Sequence, residues 1–102
     1  MAKLIAIYKK PKDAAAFDRY YFGTHIPLAK TIPGLRRYEV SAGSVGMPVE
    51  SGPIHLVATL EFDSPAAIQQ ALGSPQGQAT AADLANFAAA GVDLYVFDTK
   101  TV

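Results

Sequence analysis

An α+β fold built on one antiparallel four-stranded sheet is predicted by three observations. Lys3–Tyr8, Leu35–Ala42, Ile54–Phe62 and Val92–Thr99 are short runs rich in branched and aromatic residues, as strands are. Helical signals fill the first and third gaps between them, whereas residues 43–53 hold three glycines and two prolines without periodicity. The resulting order, β-α-β-β-α-β, is that of the ferredoxin-like split βαβ arrangement. The third observation is that the strands at both ends of the chain are apolar on both faces, although the helices of such a fold cover only one. Another chain must bury the second face. A homodimer is therefore expected, two sheets facing each other across a two-fold axis to enclose a cavity, as in a dimeric α/β barrel.

Each element has its own justification. In Lys3–Tyr8, Ile5 and Ile7 stand on one face and Leu4, Ala6 and Tyr8 on the other. Pro11 and Asp13 open the first helix, Asp13 as a carboxylate N-cap for the free amides of the first turn. At ~100° per residue, Phe17, Tyr20, Tyr21, Thr24 and His25 share one arc of that helix. Pro27 is expected to end it just past His25, because proline disfavours the α conformation at Ile26 and clashes with the turn before it. His25 then lies in the last turn, where a segment opens onto solvent or a cavity mouth. Pro33-Gly34 turns the chain into the second strand, where Tyr38, Val40 and Ala42 oppose Arg37, Glu39 and Ser41. Gly43 to Pro53 reads as a long mobile connection.

In Ile54–Phe62, alternation sets Ile54, Leu56, Ala58, Leu60 and Phe62 against His55, Val57, Thr59 and Glu61. Ser64-Pro65 opens a helix that runs to Leu72. Ser74-Pro75 repeats the signal, so a second segment is expected from Gln76 to Ala90 with Gly91 as its C-cap. The last strand carries Leu94 and Val96 on one face and Asp93, Tyr95 and Phe97 on the other.

Composition excludes several classes of function. The 102 residues make a single domain, 1–102, of a size that buries only about two thirds of its surface. Half the residues are hydrophobic and 18% are charged, which leaves apolar surface seeking a partner. Nine basic and nine acidic residues cancel without a basic stripe, so nucleic acid is not an expected partner. Without cysteine there is no disulfide framework, thiolate metal site or cysteine nucleophile. The apolar run Leu4–Tyr8 is too brief for a signal peptide, and no run approaches the ~20 residues of a membrane span. A cytoplasmic protein with no membrane partner is expected.

The chemistry converges on one histidine. His25 has an ordinary pKa near ~6.5, suited to proton exchange at neutral pH, and phenols beside it can donate to an oxyanion or hold a carbonyl or phenolic ligand. His25 and Tyr21 are the expected catalytic pair, with Tyr8, Tyr20, Arg37 and Tyr95 as substrate-binding side chains. The alternative for His25 is a helix-end residue that meets the macrodipole, and for the tyrosines plain core packing. Arg37, Glu39, His55, Thr59, Glu61 and Asp93 are the polar positions of the inner sheet face, where pairing across a dimer axis competes with a pocket role. Only two histidines, set far apart, argue against a protein metal site. No dinucleotide, P-loop or nucleophile-elbow motif occurs, so no cofactor is demanded.

The stretch F-x-x-Y-Y, T-H-x-P-L and P-G-L, from Phe17 to Leu35, resembles the EthD family of small dimeric α/β-barrel proteins. The resemblance extends to Ser74-Pro75-x-Gly77, to Ala82-Asp83-Leu84-x-x-Phe87 and to Gly91-Val92-Asp93. It implies the dimeric barrel and a small hydrophobic ligand. Two roles follow: cofactor-free acid–base catalysis of an isomerase, dehydratase or monooxygenase kind on an aromatic, lactone or polyketide-like compound, or a noncatalytic accessory of an oxidative degradation pathway that serves a partner oxygenase.

Overall fold

The computed structural model describes residues 1–47 and 52–102. Its sheet is made of β1 (Ala2–Lys9), β2 (Arg37–Val40), β3 (Ile54–Phe62) and β4 (Val92–Asp98) in the order β2-β3-β1-β4, every pair antiparallel. This is the ferredoxin-like α+β fold. Its first crossover is α1 (Ala14–Tyr20), a wide π turn over Tyr21–His25 and α2 (Ile26–Ala29); its second is α3 (Pro65–Gly73) and α4 (Pro75–Asp83). Side chains start three of these helices as anticipated, Asp13, Ser64 and Ser74 each accepting from the backbone N–H three residues on at 3.0–3.1 Å. Among the described residues no helix is long and apolar enough to cross a membrane.

The helices cover one face of the sheet. Alternate residues of the two central strands, Ala2, Leu4, Ala6 and Tyr8 with Leu56, Ala58, Leu60 and Phe62, are buried there against Phe17, Tyr21, Ile68 and Ala71. Across the sheet, Ile5 and Ile7 stand beside Val57, Tyr95 and Phe97, and the two rings are about half exposed. β4 is an edge strand that shows apolar side chains on both faces, with Leu94 at 50% and Val96 at 43% exposure. Arg37, Glu39 and Glu61 occupy the open face too, where Arg37 pairs with Glu39 at 3.4 Å and Lys3 with Glu61 at 3.8 Å.

Three expectations are corrected. The first helix does not end at His25: Ile26 N–H reaches back to Tyr21 O, which widens one turn, and α2 carries on with Pro27 in its first turn. A π turn leaves room for the ring and does not require the amide that proline lacks. The last helix does not run to Ala90: α4 ends at Asp83, tightens into a 3₁₀ turn over Leu84–Asn86, and Gly91 adopts φ 116° only at the entry to β4. His55 does not follow the alternation of β3. Tyr8 pairs with Leu56 but Lys9 with Ile54, so His55 is the extra residue of a bulge and leaves the open face. The expected Gly43–Pro53 connection includes residues 48–51, which lie outside the described residues.

Candidate functional site

The widened turn and the end of α4 meet on the helix-covered side of the sheet. His25 is only 3% exposed, and its Nδ1 lies 2.9 Å from Asp83 Oδ2. The other carboxylate oxygen accepts from Tyr20 OH at 2.6 Å and from Asn86 Nδ2 at 2.9 Å. Three donors thus converge on one buried carboxylate. Burial opposes the charge on Asp83, but the hydrogen bonds from Tyr20, Asn86 and His25 outweigh it and hold the carboxyl below its ordinary value. Burial in turn pushes His25 below its ordinary value, against the smaller opposing pull of Asp83. At neutral pH the pair is a neutral imidazole hydrogen-bonded to an ionised carboxylate.

That pairing decides the tautomer. A carboxylate can only accept, so Nδ1 carries the proton and Nε2 the lone pair. Among the described residues no buried side-chain nitrogen or oxygen lacks a hydrogen-bond partner, and none of them bonds Nε2. Nε2 therefore reaches open space. The space that His25 lines is a cavity of about 70 Å³ between sheet and helices, walled by Leu4, Ala6, Ile32, Ala58, Leu60 and Leu84. Leu72 and Leu94, both well exposed, stand at its rim.

Tyrosines supply the remaining polar atoms. Tyr38 lines the cavity, and its OH lies 2.7 Å from that of Tyr21, which is fully buried behind it. Tyr8 also lines the cavity, its ring edge-on to Tyr21 at 5.3 Å. Burial raises all three phenols, so each is a protonated donor at neutral pH. When Tyr21 donates to Tyr38, the Tyr38 proton is free for a ligand. Tyr21 also stacks on His25 at 5.5 Å, and the Phe87 ring lies against both, 4.6 Å from the imidazole and 5.8 Å from Tyr21.

The structure thus brings His25, Tyr21, Tyr8 and Tyr20 together, though only His25 and Tyr8 line the cavity. Tyr20 serves Asp83, and Tyr21 serves Tyr38 and His25. Arg37 and Tyr95 are not part of this site, because their positions in β2 and β4 place them on the open face. This cavity is on the helix side of the sheet. Sequence reasoning missed Asp83, Tyr38 and Phe87. Asp83 and Phe87 stood in the motif already noted, and Asp83 is the lone acid of an alanine-rich segment, but nothing in the chain couples it to a histidine 58 positions away.

Comparison with known proteins places the fold. The family model of the EthD domain matches residues 9–91. An uncharacterized 11.0 kDa protein of the thcB-thcC intergenic region of Rhodococcus erythropolis is 40% identical over 103 residues, covering 100% of this chain and 98% of that protein. The crystal structure of an ethyl tert-butyl ether (EthD) family protein from Bacillus halodurans superimposes with a TM-score of 0.90 at 37% identity, over 98% of this chain and 99% of that one. SnoaB, a cofactor-independent oxygenase from Streptomyces nogalater, has the same fold, with a TM-score of 0.69 at 15% identity over 99% and 94% of the two chains.

Proposed function

Because the chain belongs to the EthD domain family, we propose that it is a small-molecule protein in which His25 performs cofactor-free acid–base chemistry on a hydrophobic compound. The observation that carries the reading is His25 itself: Nδ1 held by a buried carboxylate, Nε2 without a protein partner, on a ring that lines an apolar cavity. A neutral imidazole so placed can take a proton from a C–H beside a carbonyl or from a phenolic hydroxyl. Asp83 steadies the imidazolium that results, and the Tyr38 hydroxyl donates to the oxygen that gains charge. The fold shared with an oxygenase that uses no cofactor is compatible with chemistry run by side chains alone.

The cavity supports a hydrophobic substrate class. Its lining admits no charge, and about 70 Å³ is smaller than the roughly 150 Å³ void that accepts benzene in an engineered cavity. A ring of the aromatic, lactone or polyketide-like kind enters once Leu72 and Leu94 rotate away from the rim. The test is turnover of a panel of such compounds. His25→Gln is expected to lower kcat/KM by 10²-fold or more, in line with about 10²–10⁴ for general acid–base catalysis, and Tyr38→Phe by roughly tenfold. Full turnover by His25→Gln would overturn the mechanism. Tight binding of a compound that the wild-type protein returns unchanged would make it a carrier for a partner enzyme such as an oxygenase.

The same reading makes the functional unit a cytoplasmic homodimer of a single 1–102 domain. Ile5, Ile7, Val57, Tyr95 and Phe97 form an apolar strip across the open face, and β4 adds an uncovered edge. In sedimentation velocity the wild-type protein is expected at twice the chain mass, and Tyr95→Asp with Phe97→Asp at the mass of one chain. A wild-type monomer at micromolar concentration would remove the dimer from the proposal.

A further inference from the structure

The second histidine is built like the first but faces another space. Strict alternation along β3 would leave His55 on the open face beside Val57 and Thr59. The bulge opposite Tyr8 and Lys9 turns it to the helix side instead, where its ring stands edge-on to Phe17 at 4.9 Å and its Nε2 lies 2.8 Å from Asp18 Oδ1 of α1. Bulges that re-aim a side chain cluster next to sites of function. In the neutral imidazole the Asp18 carboxylate decides the tautomer: Nε2 carries the proton and Nδ1 the lone pair. No hydrogen bond from the described residues reaches Nδ1, and none of their buried polar side-chain atoms is unpaired, so Nδ1 is open to solvent-accessible space.

That space is a cleft of about 400 Å³ at the end of the sheet, separate from the cavity of His25. The two have no lining residue in common; the ring of Phe17 touches His55 on one side and stacks on Tyr21, next to His25, on the other. The cleft is within the range of small-molecule sites, about 300–1,000 Å³. Its chemistry is more definite than its size. Phe22 presents a ring that is 50% exposed, Lys10 adds an ammonium group and Ser44 a hydroxyl, while Asp18 is engaged by His55. Ser41 also lines it, but its Oγ is used by Val57 N at 3.0 Å.

We propose that this cleft is a second ligand site, for an aromatic hydroxy compound of the phenol class. The hydroxyl donates to His55 Nδ1, the ring lies against Phe22, and Lys10 favours the charge that appears on the phenol oxygen as its proton shifts toward the imidazole. A carboxylate ligand suits the site less well, since it has no proton to offer the Nδ1 lone pair and Asp18 already contributes a negative charge. Nothing in this arrangement involves His25, so the site stands or falls apart from the proposed chemistry.

The probe is 4-nitrophenol, whose visible absorption reports the phenolate fraction directly. Binding is expected to shift the band toward the phenolate. His55→Gln should weaken binding tenfold or more, Phe22→Ser several-fold, and Lys10→Met should abolish the shift while leaving weaker binding. His25→Gln should leave the part of the binding and of the shift that depends on His55 and Lys10 in place. Imidazole NMR signals provide a reading that needs no variant to fold: the His55 ring is expected to move on titration, independently of any movement of the His25 ring. Absence of binding by the wild-type protein, or binding that His55→Gln and Lys10→Met leave intact, overturns the proposal. Binding lost in His25→Gln alone also overturns it, because the phenol would then occupy the cavity.

Discussion

Asp83→Ala is expected to cost about 3 kcal/mol of stability, a drop in Tm of roughly 15 °C for a chain of this size at fixed protein concentration. The carboxylate accepts from Tyr20, His25 and Asn86, at 2.6, 2.9 and 2.9 Å. Its removal leaves the buried Nδ1–H of His25 with no acceptor, which is costlier than the net value of the bond itself. Asp83→Asn keeps the volume and one acceptor oxygen but turns an amide against a donor, so about 2 kcal/mol is expected. Urea unfolding at neutral pH measures both. A loss under 1 kcal/mol in Asp83→Ala would show that the three donors find other partners.

Acid tests the same cluster. His25 is held below its ordinary value of 6.5, so the unfolded chain takes up this proton first, and stability falls as pH drops from about 6.5 through the lower folded value. Asp83 is held below its ordinary value of 3.8, so its contribution is present above that pH and is lost as pH falls through the folded value. Wild-type protein should therefore lose stability in two limbs. His25→Gln lacks the upper one, and Asp83→Ala reduces the lower one to the part that Asp63, held down by Arg36, still contributes. If His25→Gln kept the upper limb, another group would have to be responsible for it.

Gly77→Ala is the other large effect. A Cβ at Gly77 would lie 2.0 Å from Ala71 O, 2.9 Å from Ala71 C and 3.0 Å from Leu72 Cα. All three are backbone atoms of the adjoining helix, which cannot turn aside as a flexible side chain does. Alanine gains up to about 1 kcal/mol in helix propensity, yet separating α3 from α4 costs about 3 kcal/mol or more, so a net loss of at least about 2 kcal/mol is expected. Gly77 also lines the cavity, so ligand affinity should fall with stability. Gly73→Ala provides the contrast: its Cβ meets nothing within 4 Å, and a gain of a few tenths to about 1 kcal/mol is expected. Equal effects from the two substitutions in chemical denaturation would refute the close-approach argument.

Much of the fold was legible in the chain. The strand runs, the capping residues Asp13, Ser64 and Ser74, and the β-α-β-β-α-β order depend on local spacing, and local spacing is what a sequence displays. The apolar character of both faces of the terminal strands was legible for the same reason. The rank of His25 as the leading candidate came from its place among rings on one helical arc and from the T-H-x-P-L motif.

The tertiary structure alone decided what surrounds that histidine. Pro27 signalled a helix end, but a π turn absorbed it, because packing of Phe17, Tyr21 and Ala29 on the sheet favours keeping one continuous helical segment. A single extra residue in β3 reversed the face of His55, since a register shift is set by pairing with β1 and leaves no mark in the alternation of β3 itself. Above all, the chain could name His25 and not Asp83 as its partner. Pairing them requires the second crossover to return over the first, so that residues 58 positions apart meet at 2.9 Å. Periodicity determines which side chains share a face; only the packing of one element on another determines which atoms share a proton.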